Sequence, residues 1–426
     1  MSAFRITVVQ ALEILDSRGR PTVQVNLSLA DGTRVAAAVP SGASTGTREA
    51  VERRDGDMSR YGGLGVTQAV AAVNGEINDV LAGSPGWKSL ADVDAALIDL
   101  DGTATKSRLG ANAIVGVSMA CARAFARRDG VPLWRWLSAD GVASRLPVPH
   151  FNVINGGAHA GNRLDFQEFM IAPLGAPSYA EAVRAGAQVY TALRKLLATQ
   201  GHAIGLGDEG GFAPDVTETQ ALDLLVGAIE AAGYTPGRDG VAIALDPAAS
   251  GFYRDGVYTV AGRAYTTTDM ISWYAELVDR YPIWSIEDGL AEDDWDGWTA
   301  MVGQLGSRIQ IVGDDLLVTD AATIDRAAGL GAITAALIKP NQVGTVTETL
   351  AAIEAARSAG FGQMISHRSG ETSDTFIADL AVGCGCGQLK SGAPARGERV
   401  AKYNRLLEIE HLQLGLPYGP PQGDGQ

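Results

Sequence analysis

Hydrophobic and polar residues alternate in two different rhythms along this chain. "FRITVVQALEIL" (4–15), "PTVQVNLSLA" (21–30) and "RVAAAVP" (34–40) are β-rich runs broken by Asp-Ser-Arg-Gly and Asp-Gly turn signals. They predict strands. "VTQAVAAVNGEINDVLA" (66–82) and "GANAIVGVSMACARAFARR" (110–128) then place apolar residues at helical spacing. Strands followed by helices predict a small α+β unit. "RLPVPHFNVINGG", from Arg145, is proline-punctuated and reads as a boundary, so we divide the chain into residues 1–142 and 143–426.

Beyond it the rhythm changes. "VAIALD" ends at Asp246, "IWSIED" contains Glu287, "IQIVGDD" contains Asp314 and "AALIKP" contains Lys339. "QMISHRSG" contains His367, Arg368 and Ser369, and "GQLKSG" contains Lys390. Helical patterns such as "TDMISWYAELVDRY", "DAATIDRAAGLG" and "TVTETLAAIEAARSAG" lie between these runs. After a longer first interval the strand ends recur about every 25 residues, the size of a βα unit. In a βα barrel the strand C-termini form one rim, and chemistry sits there. These charged residues, distant in sequence, are therefore expected to converge.

Composition narrows the class. Apolar residues make up 46% of the 426, enough for a large core, and acids outnumber bases 49 to 34 for a net charge of −15. That argues against nucleic acid as the main partner, which needs clustered Lys and Arg. It leaves room for a small anion bound by local charge. The three cysteines, Cys121, Cys384 and Cys386, make no disulfide framework and suit a reducing cytoplasm. Cys384-x-Cys386 could suggest metal, but two thiols without nearby partners read as buried or incidental. No apolar run reaches the ~18 residues that span a bilayer, so we expect a soluble cytoplasmic protein with no membrane partner.

Asp246, Glu287 and Asp314 end three successive predicted strands. Converging alone they would repel; a hard divalent cation resolves that, and an all-oxygen set suits Mg²⁺ or Mn²⁺ over zinc. Each could instead cap a helix or pair with an arginine. A rim lysine near a metal and a second cation has its pKa lowered and can serve as a base. Lys339 and Lys390 are placed for that role, or for simple snorkelling. Metal plus lysine is the pairing that abstracts a proton α to a carboxylate. "GLGDEGGFAP" sets Glu209 among glycines, as an acid of raised pKa or a plain loop tip. "NGGAHAGNRLDFQEFM" adds His159, Gln167 and Glu168. "PSGASTG" (40–46) is a hydroxyl-rich loop, a mobile lid or a turn, and is not a Walker A sequence.

Over nearly its whole length the chain resembles the enolase family. The matching stretches include "ILDSRGRPTV", "VPSGASTG", "KSRLGANAI", "NVINGGAHAGN", "QEFMIAP", "GDEGGFAP", "SIEDG", "VGDDL", "LIKPNQVGTVTETL", "SHRSGET" and "KYNRLLEIE". The resemblance implies an N-terminal α+β cap and an irregular eight-stranded α/β TIM-like barrel. It implies reversible dehydration of 2-phosphoglycerate to phosphoenolpyruvate, or the same chemistry on a related phospho- or phosphono-carboxylate in another pathway. Asp246, Glu287 and Asp314 then resemble the ligands of one Mg²⁺, and Ser44 the lid serine of a second that arrives with substrate. Lys339 resembles the base at C2 and Glu209 the acid at the C3 hydroxyl, with Glu168 beside it. Lys390 resembles the carboxylate-holding lysine, and Arg368 and Ser369 the phosphate grip. His159, Gln167 and His367 line the same pocket. A homodimer or higher homo-oligomer is the family expectation. Leu64, Thr105, Gly251, Leu316 and Gly397 depart from the usual pattern, and none is a proposed catalytic group.

Overall fold

A computed structural model of the chain describes residues 4–43 and 45–420. The N-terminal runs form an antiparallel meander, β1 (Ile6–Leu15), β2 (Pro21–Leu29) and β3 (Arg34–Ala38). Its inner face buries Ile6, Val9, Val23, Val25, Leu27 and Ala37. Helices follow: α1 (Thr67–Ala72) and α2 (Asn78–Gly83), joined through a π turn, then α3 (Leu90–Asp101), α4 (Ala111–Arg128) and α5 (Leu133–Trp136). The middle of α4 is apolar on nearly all sides and correspondingly buried. Gly116 lets it approach the sheet, because a Cβ there would come within 2.9 Å of Val25 Cγ2 and 3.0 Å of Val39 Cγ2.

The second part begins with β4 (Val148–Asn155) and β5 (Glu168–Ala172), then α6 (Tyr179–Thr199), α7 (Glu218–Ala231) and β6 (Ala242–Asp246). A small antiparallel sheet, β7 (Tyr253–Arg254), β8 (Val257–Val260) and β9 (Arg263–Tyr265), is inserted next and accounts for the long first interval. Regular alternation follows: α8 (Thr267–Arg280), β10 (Ile283–Glu287), α9 (Trp295–Leu305), β11 (Gln310–Gly313), α10 (Ala321–Leu330) and β12 (Ala335–Ile338). It continues through α11 (Pro340–Val343), α12 (Val346–Ser358), β13 (Gly362–Ser366), α13 (Phe376–Gly383), β14 (Gly387–Lys390) and α14 (Gly397–Leu412). Ser178, Thr217, Thr266, Asp294, Asp320 and Thr345 each accept a first-turn N–H, which fixes where six of these helices start.

Eight strands close a barrel in the order β4-β5-β6-β10-β11-β12-β13-β14. Every neighbouring pair is parallel except β4–β5 and β5–β6. β5 therefore runs against both neighbours, and its first residue, Glu168, pairs with the last residues of β4 and β6, Asn155 and Asp246. The sequence pattern identified six of these strands. It did not identify β4 and β5, which belong to no βα unit.

The cap is stapled to the barrel. Ser41 and Gly370 exchange backbone hydrogen bonds of 2.7 and 2.8 Å, and Ala50 donates to the Gln342 carbonyl at 2.8 Å. Arg123 of α4 grips Asp374 with two bonds of 2.7 Å. Asp94 of α3 accepts from the N–H and hydroxyl of Thr347 at the start of α12, at 3.0 and 2.6 Å. Among the described residues no helix is long and apolar enough to cross a membrane.

Candidate active site

Strand direction brings the candidates together. Asp246, Glu287 and Lys390 are the last residues of β6, β10 and β14, while Asp314, Lys339 and His367 directly follow β11, β12 and β13. Glu168 reaches the same rim because β5 is reversed. His159 and Gln167 lie in the β4–β5 connection, and Glu209 sits on the segment that pairs with it, where Phe212 bridges to Ile154. A small cavity of about 20 Å³ is lined by Ala43, His159, Gln167, Glu168, Glu209, Asp246, Lys339, His367, Arg368, Ser369 and Lys390. Glu287 and Asp314 reach it through the two lysines. Ser44 lies outside the described residues.

The charges interlock. Lys390 Nζ is 2.7 and 2.8 Å from the two Glu287 oxygens, 3.2 Å from Asp246 and 3.3 Å from Glu168. Lys339 Nζ contacts Asp314 Oδ2, and Gln342 Nε2 donates to Asp314 Oδ1 at 2.9 Å. Burial opposes the charge of each lysine, but the acids outweigh it. Asp314 holds Lys339 above its ordinary pKa, and Glu168, Glu287 and Asp246 hold Lys390 well above. Lys339 is thus an ammonium in the protein alone, because Asp314 is its direct partner; the lowered pKa expected of it belongs to a site holding a metal.

Glu209 departs from the raised pKa expected of it. Its ligand oxygen, that of Glu168 and a ring nitrogen of His159 lie within 4.8 Å of one another. Two buried carboxylates so close divide one proton unequally. Burial and then the Glu209 charge push Glu168 well above the usual carboxylate range. Burial would raise Glu209 too, but the positive charge that His367 and His159 carry when protonated at low pH outweighs it and holds Glu209 well below. The proton rests on Glu168, not on Glu209. Burial holds His367 itself near pKa 3, so its ring is neutral.

The donor chemistry suits a hard divalent cation, although among the described residues the ligand atoms that lie within 4.8 Å of one another are those of His159, Glu168 and Glu209 and those of Asp288, Asp314 and Asp315. Asp246, Glu287 and Asp314 come from strands adjacent in the barrel, offer only carboxylate oxygens, and already draw in ammonium groups. The turn carrying Asp314 is pinned: Asp288, at φ +42°, accepts the N–H of Asp314 at 2.8 Å and of Asp315 at 2.9 Å. Buried polar atoms without a hydrogen-bond partner at this mouth include His159 Nδ1, His367 Nε2 and Asn152 Oδ1.

Several working residues escaped the sequence reading. Glu49, on the cap, pairs with Arg368 through both terminal nitrogens at 3.0 and 3.1 Å. Gln342 links Glu49, Asp314 and Thr319. Asn152 donates to Glu209 Oε2 at 3.0 Å. Only "LIKPNQ" carried a signal, for Gln342 and its neighbour Asn341; the Glu49–Arg368 pair spans 319 positions. Cys121, Cys384 and Cys386 are buried free thiols, as expected. A larger groove of about 910 Å³ lies between α4 and α14, but none of the rim acids or lysines lines it. The five departures all lie off the catalytic cavity; a Cβ at Gly251 or Gly397 meets nothing within 4 Å, and Leu316 is core.

Comparison with known proteins agrees with this geometry. Residues 6–137 match the family model described as enolase, N-terminal domain, and residues 143–416 that of the enolase C-terminal TIM barrel domain. The chain is similar to Enolase 1 of Methylococcus capsulatus, 56% identical over 410 residues, 95% of this chain and 97% of the relative. It is 56% identical to an enolase of Acidothermus cellulolyticus over 406 residues, 95% and 94% of the two chains. An enolase of Mycobacterium leprae is also 56% identical, over 412 residues, 96% and 95%.

Proposed function

The chain belongs to the enolase family, and we propose that its barrel rim carries out the reversible dehydration of 2-phosphoglycerate to phosphoenolpyruvate. The observation that carries this reading is the convergence of Lys339, Glu168 and Glu209 on one small cavity beside three strand-end carboxylates.

Lys339 Nζ takes the C2 proton. The C2–H electron pair first moves onto the substrate carboxylate as an enediolate, then returns to form the C2–C3 double bond as the C3–O bond breaks, and the hydroxyl leaves as water with a proton from Glu209. Glu168 stands within reach to supply that proton, which rests on it in the free protein. Lys390 holds the substrate carboxylate. Arg368 and Ser369 grip the phosphate, while His159, Gln167 and His367 shape the wall. Asp246, Glu287 and Asp314 would hold a Mg²⁺, with Ser44 joining a second that arrives with substrate, and this charge would stabilise the enediolate oxygens.

The division into a cap of residues 1–142 and a barrel of 143–426, a homodimer, and a cytoplasmic setting complete the proposal. The buried, unpaired thiols support a reducing compartment. The test is a coupled assay with purified protein, 2-phosphoglycerate and Mg²⁺. Absence of phosphoenolpyruvate under those conditions overturns the reading.

A further inference from the structure

Arg399, in the first turn of α14, is 0% exposed and does not line the catalytic cavity. Its guanidinium ties three loops together. Nη1 donates to His367 Nδ1 at 2.5 Å and to the Arg368 carbonyl at 2.7 Å. Nη2 donates to the carbonyls of Ser369 and Asp208, and to Ser17 Oγ of the cap. Room for the stem comes from Gly392, at φ +73°, where a Cβ would lie 2.9 Å from Arg399 Cδ and 2.7 Å from the Glu209 carbonyl.

A guanidinium has only donors and does not deprotonate. His367 Nδ1 must therefore accept, and the single proton of its neutral ring lies on Nε2. That nitrogen is 3.2 Å from Glu209 Oε2. Asn152 donates to the same oxygen at 3.0 Å, so Oε2 already has one hydrogen-bonded N–H and lies close to, though not in hydrogen-bond geometry with, the His367 Nε2–H. Glu209 Oε1 instead faces His159 Nδ1 at 3.7 Å, the atom that also lies 3.8 Å from Glu168 Oε1. With the other His367 tautomer a lone pair would face Oε2, and any proton taken up by Glu209 would be drawn to that oxygen, away from Glu168. The charged groups around His367 are Glu209, Arg399, Lys390 and the adjoining Arg368.

We propose that Arg399 is a positioning residue that fixes His367 as the Nε2–H imidazole, and so leaves Oε1 of Glu209 as the oxygen that receives the transferable proton from Glu168 and passes it on. This rests on the reading of Glu209 as the acid at C3. Burial, with the donor contact adding to it, keeps the ring neutral through the working pH range.

The test is a long-range ¹H–¹⁵N spectrum of the histidine rings in the full-length protein, tractable because the chain has five histidines. In wild type, His367 should show the Nε2–H tautomer without titration from pH 5 to 8. Arg399→Met should free Nδ1 and let the Nδ1–H tautomer appear. It should lower kcat by about 10- to 100-fold, as loss of an outer partner of a functional imidazole does, with KM little changed. Arg399→Gln, which keeps an N–H donor, should restore the tautomer and part of kcat. An Nδ1–H tautomer in wild type overturns the proposal, and so does an unaltered Nε2–H tautomer in Arg399→Met. Should that variant not fold, the wild-type spectrum decides alone. The acid reading fails separately: Glu209→Gln losing C2 exchange and dehydration alike would remove it, while the ring spectrum would still judge Arg399.

Discussion

Lys339 carries the tension of the site in one side chain. Its partner Asp314 keeps it charged, while its proposed task requires it neutral. A base that is masked until its carboxylate partner is engaged elsewhere avoids idle proton traffic. Lys339→Ala should abolish exchange of the C2 proton of 2-phosphoglycerate with D₂O while the fold survives; exchange at the wild-type rate would assign the base elsewhere. Glu209→Gln separates the half-reactions. It is nearly isosteric but cannot donate an acidic proton, so phosphoenolpyruvate formation should fall by roughly two to four orders of magnitude while C2 exchange persists. Equal loss of both would end the division of labour. Most of the cavity lining was legible at this scale, because strand-end charges stand out against apolar runs. The directions of the pKa shifts were not legible. They depend on which acid touches which lysine, and on partners such as Glu49 and Arg399 that only folding brings near.

At the scale of elements, the six strands with a helix between them could be read from alternation, whereas β4 and β5 could not. A reversed strand breaks the βα period, and the β7–β9 insertion lengthened one interval. The helix dockings were equally hidden. Asp94, from α3, is 1% exposed and caps α12 across the two parts of the molecule. Burial pushes its carboxyl up to about 6, against the pull of Thr347 and Ser118. The folded protein then holds this proton more firmly than the unfolded chain, whose Asp titrates near 3.9. The stability it contributes is complete below pH ~4 and is lost as pH rises through about 6. Asp94→Asn keeps an acceptor and cannot ionise. Its unfolding free energy, measured by denaturant titration, should fall less between pH 4 and 7 than that of wild type. Parallel curves would remove Asp94 from the pH dependence.

For the whole molecule, the carboxylates gathered at one mouth make stability and activity answer to the same cation. EDTA should abolish turnover and Mg²⁺ restore it, and Mg²⁺ should raise the melting temperature, since a ligand of the native state alone stabilises it. Full activity in chelator would sink the metal assignment. The departures at Leu64, Thr105 and Gly251 lie off the catalytic cavity, so restoring Lys, Asn and Glu should shift stability slightly and leave substrate preference unchanged. A changed preference would mean the divergence reaches the chemistry. The reversed β5 has a bearing on engineering. In most of the barrel, grafting a peptide just after a strand intrudes on the mouth. After β5 the chain emerges on the opposite floor, at residues 173–178, while the turn before it, with His159 and Gln167, is the part that faces substrate. A fluorescent tag or a new chain terminus placed at 173–178 should spare catalysis, where the same graft after β6 or β12 would block the entrance.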